Sequence, residues 1–283
     1  MPDAHKFSKL IKAPAHHVWR VLWDEPSYQQ WSSVLGDGSY TVSDWKKGSK
    51  IHFLTTTGDG IYAVIEEKIP GKYMAFRHLG LIKNKVEQPA SSMQPLESYA
   101  LSQEGDFTRL LIGIESEPAR ADFFLTSFPK ALNEIAMLAE KFRPVSLQVE
   151  TLLPLMPSIV WKYWTLPEHI TQWYFASADW CVPEAVNDLR LGGNFRIRME
   201  AKDGSFGFDL QGVYTDIVPF QRIEYLLEDG RKVITLFENK AGKTHLIQLF
   251  DAENVYASDL QKSGWQSILD NFKSYVMKKT VLG

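Results

Sequence analysis

The sequence contains two related stretches, VWRVLWDEPSYQQW at residues 18–31 and VWKYWTLPEHITQW at residues 160–173. Each stretch begins with Val-Trp and a basic residue, continues through a proline, and ends in Gln-Trp. The spacing between the aligned tryptophans is the same in both stretches. Self-similarity of this kind is the signature of a repeated structural unit. The chain is therefore predicted to carry two copies of one domain.

The repeat continues downstream of these stretches. Trp45-Lys46-Lys47-Gly48 corresponds to Leu189-Arg190-Leu191-Gly192, and Gly60-Ile61-Tyr62 corresponds to Gly212-Val213-Tyr214. The resulting offset places the boundary near Arg143-Pro144, where the proline disfavours helix in the residue before it. We predict two domains, residues 1–143 and residues 144–283.

Length, composition and charge limit the class of protein. The chain has 283 residues, of which 45% are hydrophobic and 23% charged, and its formal net charge is −3. These values are ordinary for a folded globular protein, and no long basic run attracts nucleic acid or an anionic membrane surface. No run of 18 apolar residues is present, and residues 1–10 lack the apolar segment of a secretory signal. The single cysteine, Cys181, has no intramolecular disulfide partner. We expect a cytoplasmic protein without nucleic-acid binding or membrane insertion.

The second copy shows the order of secondary-structure elements most clearly. Alternating apolar residues predict strands over residues 146–151, 194–200, 206–218, 222–227, 232–238 and 244–250. Two short helices precede most of these strands, and a long amphipathic helix ends the copy. We predict an α+β fold in which each copy has a curved antiparallel sheet, of about six or seven strands, wrapped around its long C-terminal helix. A gap between sheet and helix, covered by the two short helices, is the expected cavity.

Short motifs run through nearly the whole second copy: Asp188-Leu189-Arg190-Leu191-Gly192-Gly193-Asn194-Phe195, Asp203-Gly204, Phe208-Asp209, Gly212-Val213-Tyr214, Asp229-Gly230-Arg231 and Gly264-Trp265. With these motifs the copy resembles the heat-shock-protein-90 ATPase activator-like family, within the START-related superfamily (SRPBCC, birch-pollen-allergen-like). The first copy is similar to the same superfamily at Ala13-Pro14, Val18-Trp19, Trp31, Asp44-Trp45 with Gly48, and Pro129-Lys130-Ala131-Leu132. It departs from the pattern over residues 81–100, where an extra proline-bearing segment lies around residues 88–95. The resemblance implies the helix-grip fold and a hydrophobic ligand cavity, and it implies no particular reaction.

Sequence signatures of catalysis are absent. The chain contains no G-x-S-x-G, no H-E-x-x-H and no phosphate loop. Gly192-Gly193 is interpreted as a turn that leads into a strand rather than as part of a dinucleotide fingerprint. His16 and His17 point in different directions on a helix, which argues against a shared metal site. We therefore expect no cofactor and no metal, and we leave open whether the protein is an enzyme.

The high aromatic content is the feature that indicates a ligand, with 9 Trp, 11 Tyr and 16 Phe. We place the predicted cavity mainly in the second copy. The candidate ligand-contacting residues are Trp161, Trp164, Trp173, Phe195, Met199, Phe208, Tyr214, Tyr225, Trp265 and Phe272. For each of them the alternative is packing in a solid core. Tyr214 and Tyr225 are the expected polar anchors, because a hydroxyl in an apolar pocket needs a partner.

These observations favour a non-catalytic protein that binds a small hydrophobic or aromatic molecule, such as a lipid, in an internal cavity. One alternative is a cyclase-, dehydratase- or hydrolase-like enzyme in which a Tyr, His or carboxylate in the same cavity moves a proton. A second alternative is a chaperone- or partner-regulating protein, although the additional partner-binding domain of eukaryotic activators is not visible in the sequence. An exposed apolar patch would instead be consistent with a homodimer.

Overall fold

The computed structural model describes residues 3–281, and the chain divides into two compact units between Arg143 and Pro144. In each unit a strand is followed by two short helices, a run of antiparallel strands and a long helix. The predicted α+β helix-grip fold, with one sheet and one long C-terminal helix in each copy, is confirmed.

The first domain consists of β1 (Asp3–Ile11), α1 (Ala15–Trp23), α2 (Glu25–Ser32), β2 (Tyr40–Val42), β3 (Lys50–Leu54), β4 (Gly60–Ile69), β5 (Tyr73–Lys83), β6 (Val86–Glu87), β7 (Leu96–Glu104), β8 (Phe107–Ser116) and α3 (Ala121–Lys141). Its strands pair in the order β1-β8-β7-β5-β4-β3-β2, and β6 adds to β5. Across residues 3–116 the sheet has eight strands, one more than predicted. The additional strand, β6, belongs to the segment in which the first copy departs from the family pattern.

The second domain consists of β9 (Ser146–Leu153), α4 (Pro157–Thr165), α5 (Pro167–Ile170), β10 (Trp180–Asn187), β11 (Asn194–Ala201), β12 (Gly207–Val218), β13 (Arg222–Leu227), β14 (Lys232–Lys240), β15 (Lys243–Asp251) and α6 (Ser258–Val281). Its strands pair in the order β10-β11-β12-β13-β14-β15-β9. Six of them match the predicted strands to within a few residues at each end.

Strand β10 is the strand that the sequence pattern did not reveal. It contains Pro183, and its pairing with β11 shifts register between Cys181 and Glu184. Proline has no N–H for a sheet and is therefore tolerated mainly on edge strands and at bulges. Strand β10 lies at the edge of its sheet and carries both features, which explains why alternation of apolar residues did not predict it.

The core of each domain lies between one face of the sheet and the long helix. Along β8 and β15, buried residues alternate with more exposed ones, as expected for a sheet covered on one side. Ile112 packs in the same buried cluster as Ile135 of α3, and Phe250 in the same cluster as Leu269 and Phe272 of α6. Full burial of one such side chain contributes about 1.5–3 kcal/mol. Within residues 3–281 no helix is both long and apolar enough to cross a membrane.

The repeat retains one turn with unusual backbone geometry. Gly48 precedes β3 with a φ of 86°, and Gly192 precedes β11 with a φ of 76°. Positive φ values are accessible to glycine because it has no Cβ. The interpretation of Gly192-Gly193 as a turn that leads into a strand is thereby confirmed.

Candidate functional site

The first domain contains a cavity of about 780 Å³. It lies between the end of α2, strands β3, β4, β5 and β7, the segment of residues 88–95, and helix α3. Ligand pockets in proteins have volumes of roughly 300–1,000 Å³, and the cavity falls within this range. Its walls carry the aromatic side chains of Trp23, Tyr28, Trp31, Phe53, Tyr99, Phe123, Phe124 and Phe128.

The two short helices supply one aromatic wall. Trp23, at the end of α1, has its ring centroid 4.9 Å from that of Tyr99 and 5.5 Å from that of Phe76, both edge to face. Trp31, on α2, is 1% exposed, and its indole N–H donates to the Leu22 carbonyl at 3.3 Å. Edge-to-face contacts stabilise aromatic pairs beyond the area that they bury. These rings are therefore held in place without a ligand.

The extra segment of residues 88–95 forms a second wall. Its backbone follows β5, since the Gln88 N–H donates to the Leu81 carbonyl and the Ser91 N–H to the Leu79 carbonyl, both at 2.8 Å. The Tyr62 hydroxyl also donates to the Gln88 carbonyl at 2.9 Å. From this position the segment contributes Gln88, Pro89, Ser91, Met93 and Pro95 to the cavity lining. The part of the first copy that departs from the family pattern is thus part of the site.

Three polar side chains meet in the cavity wall. The Glu97 carboxylate has one oxygen 2.9 Å from His78 Nε2, and its other oxygen accepts a hydrogen bond from the Tyr99 hydroxyl at 2.5 Å. The side chains of Glu97 and His78 are 16% and 18% exposed, and both line the cavity. Phe53 stacks against the His78 ring at 6.1 Å between centroids. We call Glu97, His78 and Tyr99 the polar cluster.

The tyrosines around the polar cluster keep their protons. Burial raises the pKa of the Tyr99 hydroxyl well above its usual value, and the negative charge of Glu97 raises it further. Burial also raises the pKa of Tyr28, again with a contribution from Glu97. Both shifts have the same direction because burial and a nearby negative charge disfavour the phenolate. The two side chains are therefore neutral at physiological pH.

The rim of the cavity carries charges of both signs. Glu115 accepts a hydrogen bond from the Leu96 N–H at 2.9 Å and lies 3.9 Å from the Arg77 guanidinium. Arg120 lies over the ring of Phe124, 5.3 Å from its centroid. Lys83 and Glu117 also contribute to the rim. Among the described residues, no three side chains of His, Cys, Asp or Glu are grouped closely enough to hold a metal ion.

Comparison with known proteins assigns the chain to a family. Residues 154–277 match the family described as Activator of Hsp90 ATPase homolog 1-like protein (AHSA1-like). An AHSA1-like protein from Aeromonas hydrophila is 38% identical to this chain, and the match covers 48% of this chain and 94% of that protein, with a TM-score of 0.47. The chain belongs to the AHSA1-like family. The resemblance predicted from the motifs of the second copy is thus confirmed.

Two further solved structures are similar to this AHSA1-like chain. Chr148 from Cytophaga hutchinsonii is 44% identical, with 48% of this chain and 94% of that one covered and a TM-score of 0.43. The di-domain ARO/CYC protein StfQ from the steffimycin biosynthetic pathway is 11% identical, with 98% of this chain and 99% of that one covered and a TM-score of 0.38. No curated protein matches the chain. The family match lies in the second domain, whereas the cavity described above lies in the first.

The predicted tryptophans of the AHSA1-like domain are packed against other rings. Trp164 lies 4.8 Å from Trp173 and 4.9 Å from Phe272 between ring centroids, and Trp173 lies 4.5 Å from Phe272. Trp173 and Phe272 are both 0% exposed. These three residues form a continuous aromatic cluster between the short helices and α6. The cluster has the geometry of core packing, which was the alternative to ligand contact, and contact of these rings with a ligand stays a prediction.

The remaining tryptophans of the prediction also contact aromatic residues. Trp161 lies 5.1 Å from Phe237, and Trp265 stacks on Phe250 at 4.1 Å between centroids. Met199 is 7% exposed within the same buried cluster. Their contact with a ligand stays a prediction.

The two predicted tyrosines lie in the buried interior, and Tyr214 takes part in a hydrogen-bond network. The Tyr214 hydroxyl donates to Asn187 Oδ1 at 2.7 Å, and Asn187 Nδ2 donates to the Thr165 carbonyl at 2.6 Å. Tyr225 lies in the same buried cluster as Tyr214, and the Phe195 ring lies 4.8 Å from the Tyr225 ring between centroids. Burial raises the pKa of Tyr214 and of Tyr225. Asn187 therefore satisfies the Tyr214 hydroxyl from within the protein.

Phe208 lies outside the buried interior. Its side chain is 39% exposed and contacts Trp180 and Phe206, the latter 62% exposed. It stands near the start of β12, beside the turn that joins β11 to β12, where the sheet is no longer covered. The Phe208 ring is therefore not enclosed, and its contact with a ligand stays a prediction.

None of the ten predicted ligand residues lines the cavity of the first domain. The repeat could have indicated part of this cavity from the sequence, since Trp31, which lines it, corresponds to the predicted residue Trp173. The extra segment of residues 88–95 was a second signal. No sequence signal indicated His78 and Glu97, because they are far apart in sequence and neither belongs to a recognised motif.

Proposed function

We propose that this AHSA1-like protein binds a small molecule with an apolar, aromatic body in the cavity of its first domain. In this assignment residues 1–143 form the ligand-binding helix-grip domain, and residues 144–283 form the AHSA1-like helix-grip domain. The observation that carries the proposal is the cavity of about 780 Å³ with its preformed aromatic walls. The expected class of ligand is that predicted from the sequence, and its location changes from the second domain to the first.

The physical support is the amount of apolar surface that a ligand would remove from water. Each Å² of apolar surface transferred from water contributes about 25 cal/mol, and rigid walls lower the entropy cost of binding. Rings already locked by edge-to-face contacts, such as Trp23 on Tyr99, lose little freedom when a ligand arrives. A planar polycyclic molecule fits these requirements.

The test uses 1-methylpyrene as a neutral, fully apolar probe. Its binding is measured by its own fluorescence and by the thermal stability of the full chain. Leu35→Trp adds bulk at a residue that lines the cavity, and Leu125→Trp is the matched control at a side chain that is 52% exposed and outside the lining. We expect binding to the wild type and to the Leu125→Trp variant, and at least about tenfold weaker binding to Leu35→Trp.

Two results would contradict the proposal. One is that neither 1-methylpyrene nor any other polycyclic probe stabilises the protein. The other is that Leu35→Trp, folded as judged by circular dichroism, binds as tightly as Leu125→Trp, since the ligand would then occupy another place.

A second candidate function is proton-transfer catalysis in the same cavity. It is favoured by one observation, the His78–Glu97 pair at 2.9 Å within the lining. A carboxylate that orients a histidine is a common arrangement for a general base. This candidate corresponds to the enzymatic alternative predicted from the sequence.

Its test is the ring opening of 5-nitrobenzisoxazole, which needs only a base. The base removes the proton on carbon, the N–O bond breaks, and its electron pair leaves on the phenolate oxygen. We expect Glu97→Gln to lower the rate, with Glu104→Gln on the same strand as the control, because Glu104 pairs with Arg109 on the exposed side. If the wild type opens the ring no faster than the Glu97→Gln variant, the catalytic candidate is rejected and ligand binding remains the proposed function.

A further inference from the structure

We infer that the polar cluster selects ligands whose aromatic body carries a hydrogen-bond donor, such as a hydroxyl or an ammonium group, and disfavours ligands that carry a carboxylate. The inference rests on the proposed function and specifies the chemistry of its ligand. It follows from the hydrogen-bond capacity of Glu97 and His78, considered in turn.

Glu97 has acceptor capacity to spare. An ionised carboxylate offers about four lone-pair directions. The contacts of Glu97 are the His78 ring on one oxygen and the Tyr99 hydroxyl on the other. Its side chain is 16% exposed at the cavity wall. A ligand that donates a hydrogen bond can therefore use the capacity that remains, whereas a second acceptor finds no donor at Glu97.

The neutral form of His78 also presents an acceptor. Its Nε2 faces the Glu97 carboxylate, and the carboxylate favours the tautomer whose proton is on that nitrogen. The other ring nitrogen, Nδ1, is then an acceptor. The ring is held in place by stacking on Phe53, so this tautomer is kept in a fixed orientation.

The charge at this end of the cavity is negative. The fixed charges on the rim have both signs, with Lys83 and Arg120 opposed by Glu115 and Glu117. Within the described part of the chain, the ion-pair partner of Glu97 is a histidine and not a lysine or an arginine. The aromatic walls around Glu97 keep water away and so strengthen its interaction with an incoming charge. A carboxylate at this point meets like charge, and an ammonium group meets opposite charge together with the faces of aromatic rings.

The experiment compares four probes that share one ring system: 1-methylpyrene, 1-hydroxypyrene, 1-pyrenemethylammonium and pyrene-1-carboxylate. Dissociation constants are measured by fluorescence at pH 7 with the full chain. We expect the hydroxyl and ammonium probes to bind about tenfold more tightly than 1-methylpyrene, which is the usual effect of one hydrogen bond to a charged group. The carboxylate probe should bind at least about tenfold more weakly than 1-methylpyrene.

Glu97→Gln tests the assignment to one residue. The amide keeps the shape of the side chain and removes its charge. We expect this variant to bind pyrene-1-carboxylate about tenfold more tightly than the wild type and to lose most of the preference for the ammonium probe. Glu104→Gln, the same change on the same strand but at an exposed ion pair with Arg109, should leave all four dissociation constants unchanged.

The outcomes separate the two proposals. If no probe binds, the proposed function fails. If all four probes bind the wild type with equal affinity, the cavity binds ligands but the polar cluster does not select them. The same conclusion follows if the carboxylate probe binds most tightly and its affinity falls in the Arg120→Gln variant. The ranking of the probes on the wild type is sufficient for this decision should Glu97→Gln fail to fold.

Discussion

The two domains share one fold but differ in how their interiors are packed. In the second domain, Trp164, Trp173 and Phe272 pack against one another between the short helices and the long helix. In the first domain, the residue that corresponds to Trp164 is Leu22, and a cavity of about 780 Å³ lies beside Trp31, the counterpart of Trp173. Similar strands and helices therefore do not decide whether the interior is filled. How completely the side chains that meet between the sheet and the helices fill the space decides it.

A pair of corresponding tyrosines shows the same contrast. Tyr214 donates its hydroxyl to Asn187 of β10, inside the second domain. Its counterpart Tyr62 donates to the Gln88 carbonyl, in the extra segment that borders the cavity. The equivalent hydroxyl thus joins a buried hydrogen-bond network in one domain and a wall of the cavity in the other. Three predictions test this contrast, from the largest expected effect to the smallest.

The largest effect is expected for phenylalanines on the two long helices. Phe272→Ala removes a ring that is 0% exposed and in contact with two tryptophans, and it should lower the free energy of unfolding by about 3–5 kcal/mol. Phe124→Ala removes a half-buried ring that already borders a cavity, and the loss should be only about 1–2 kcal/mol. Urea unfolding of each variant, followed by circular dichroism, measures both values.

Phe206→Ala is the control for this comparison, because its ring is 62% exposed and its loss should have little effect on stability. Equal losses for Phe272→Ala and Phe124→Ala would mean that both interiors are equally well packed, and the contrast between the domains would be lost.

An intermediate effect is expected for the buried hydroxyl network. Asn187→Ala leaves both the Tyr214 hydroxyl and the Thr165 carbonyl without their partner, and it should lower the free energy of unfolding by about 2 kcal/mol. Tyr214→Phe should cost about 1 kcal/mol, and the double variant little more than Asn187→Ala, because the two changes remove the same hydrogen bond. Tyr62→Phe in the first domain should cost no more than about 1 kcal/mol. Strictly additive losses in the double variant would show that the network contributes no coupling.

The smallest effect concerns pH. Burial lowers the pKa of His169, whose Nδ1 lies 2.7 Å from the Tyr275 hydroxyl. The folded domain therefore binds this proton less readily than the unfolded chain, so stability should fall as the pH drops from the ordinary histidine pKa of about 6.5 through the lower pKa of the folded state. The corresponding residue of the first domain is Ser27, so the effect should be confined to the unfolding of the second.

Two variants check the sign of this effect in unfolding curves at pH 5 and pH 8. His169→Gln should weaken the fall in stability at acid pH. Glu168→Gln should strengthen it, because the Glu168 carboxylate raises the pKa of His169 and its removal lowers that pKa further. A change in the opposite direction for Glu168→Gln would reject this assignment.

The sequence alone predicted the features that depend on local pattern. The repeated Trp and Gly positions indicated two copies of one fold, and the motifs of the second copy, such as those around Gly192-Gly193, indicated its family. Alternation of apolar residues predicted six strands of the second domain, since a strand with one buried face repeats every two residues. It did not predict β10, in which Pro183 and a bulge interrupt the alternation.

The position and chemistry of the site depended on the tertiary structure. His78 and Glu97 lie on neighbouring strands and meet only when β5 pairs with β7, and the segment of residues 88–95 borders the cavity only because its backbone follows β5. Whether a gap remains between a sheet and a helix depends on the summed volumes of side chains from distant parts of the chain. Periodicity contains no information on that sum, because a tryptophan and a leucine occupy an apolar position equally well in a pattern and fill very different volumes in a core.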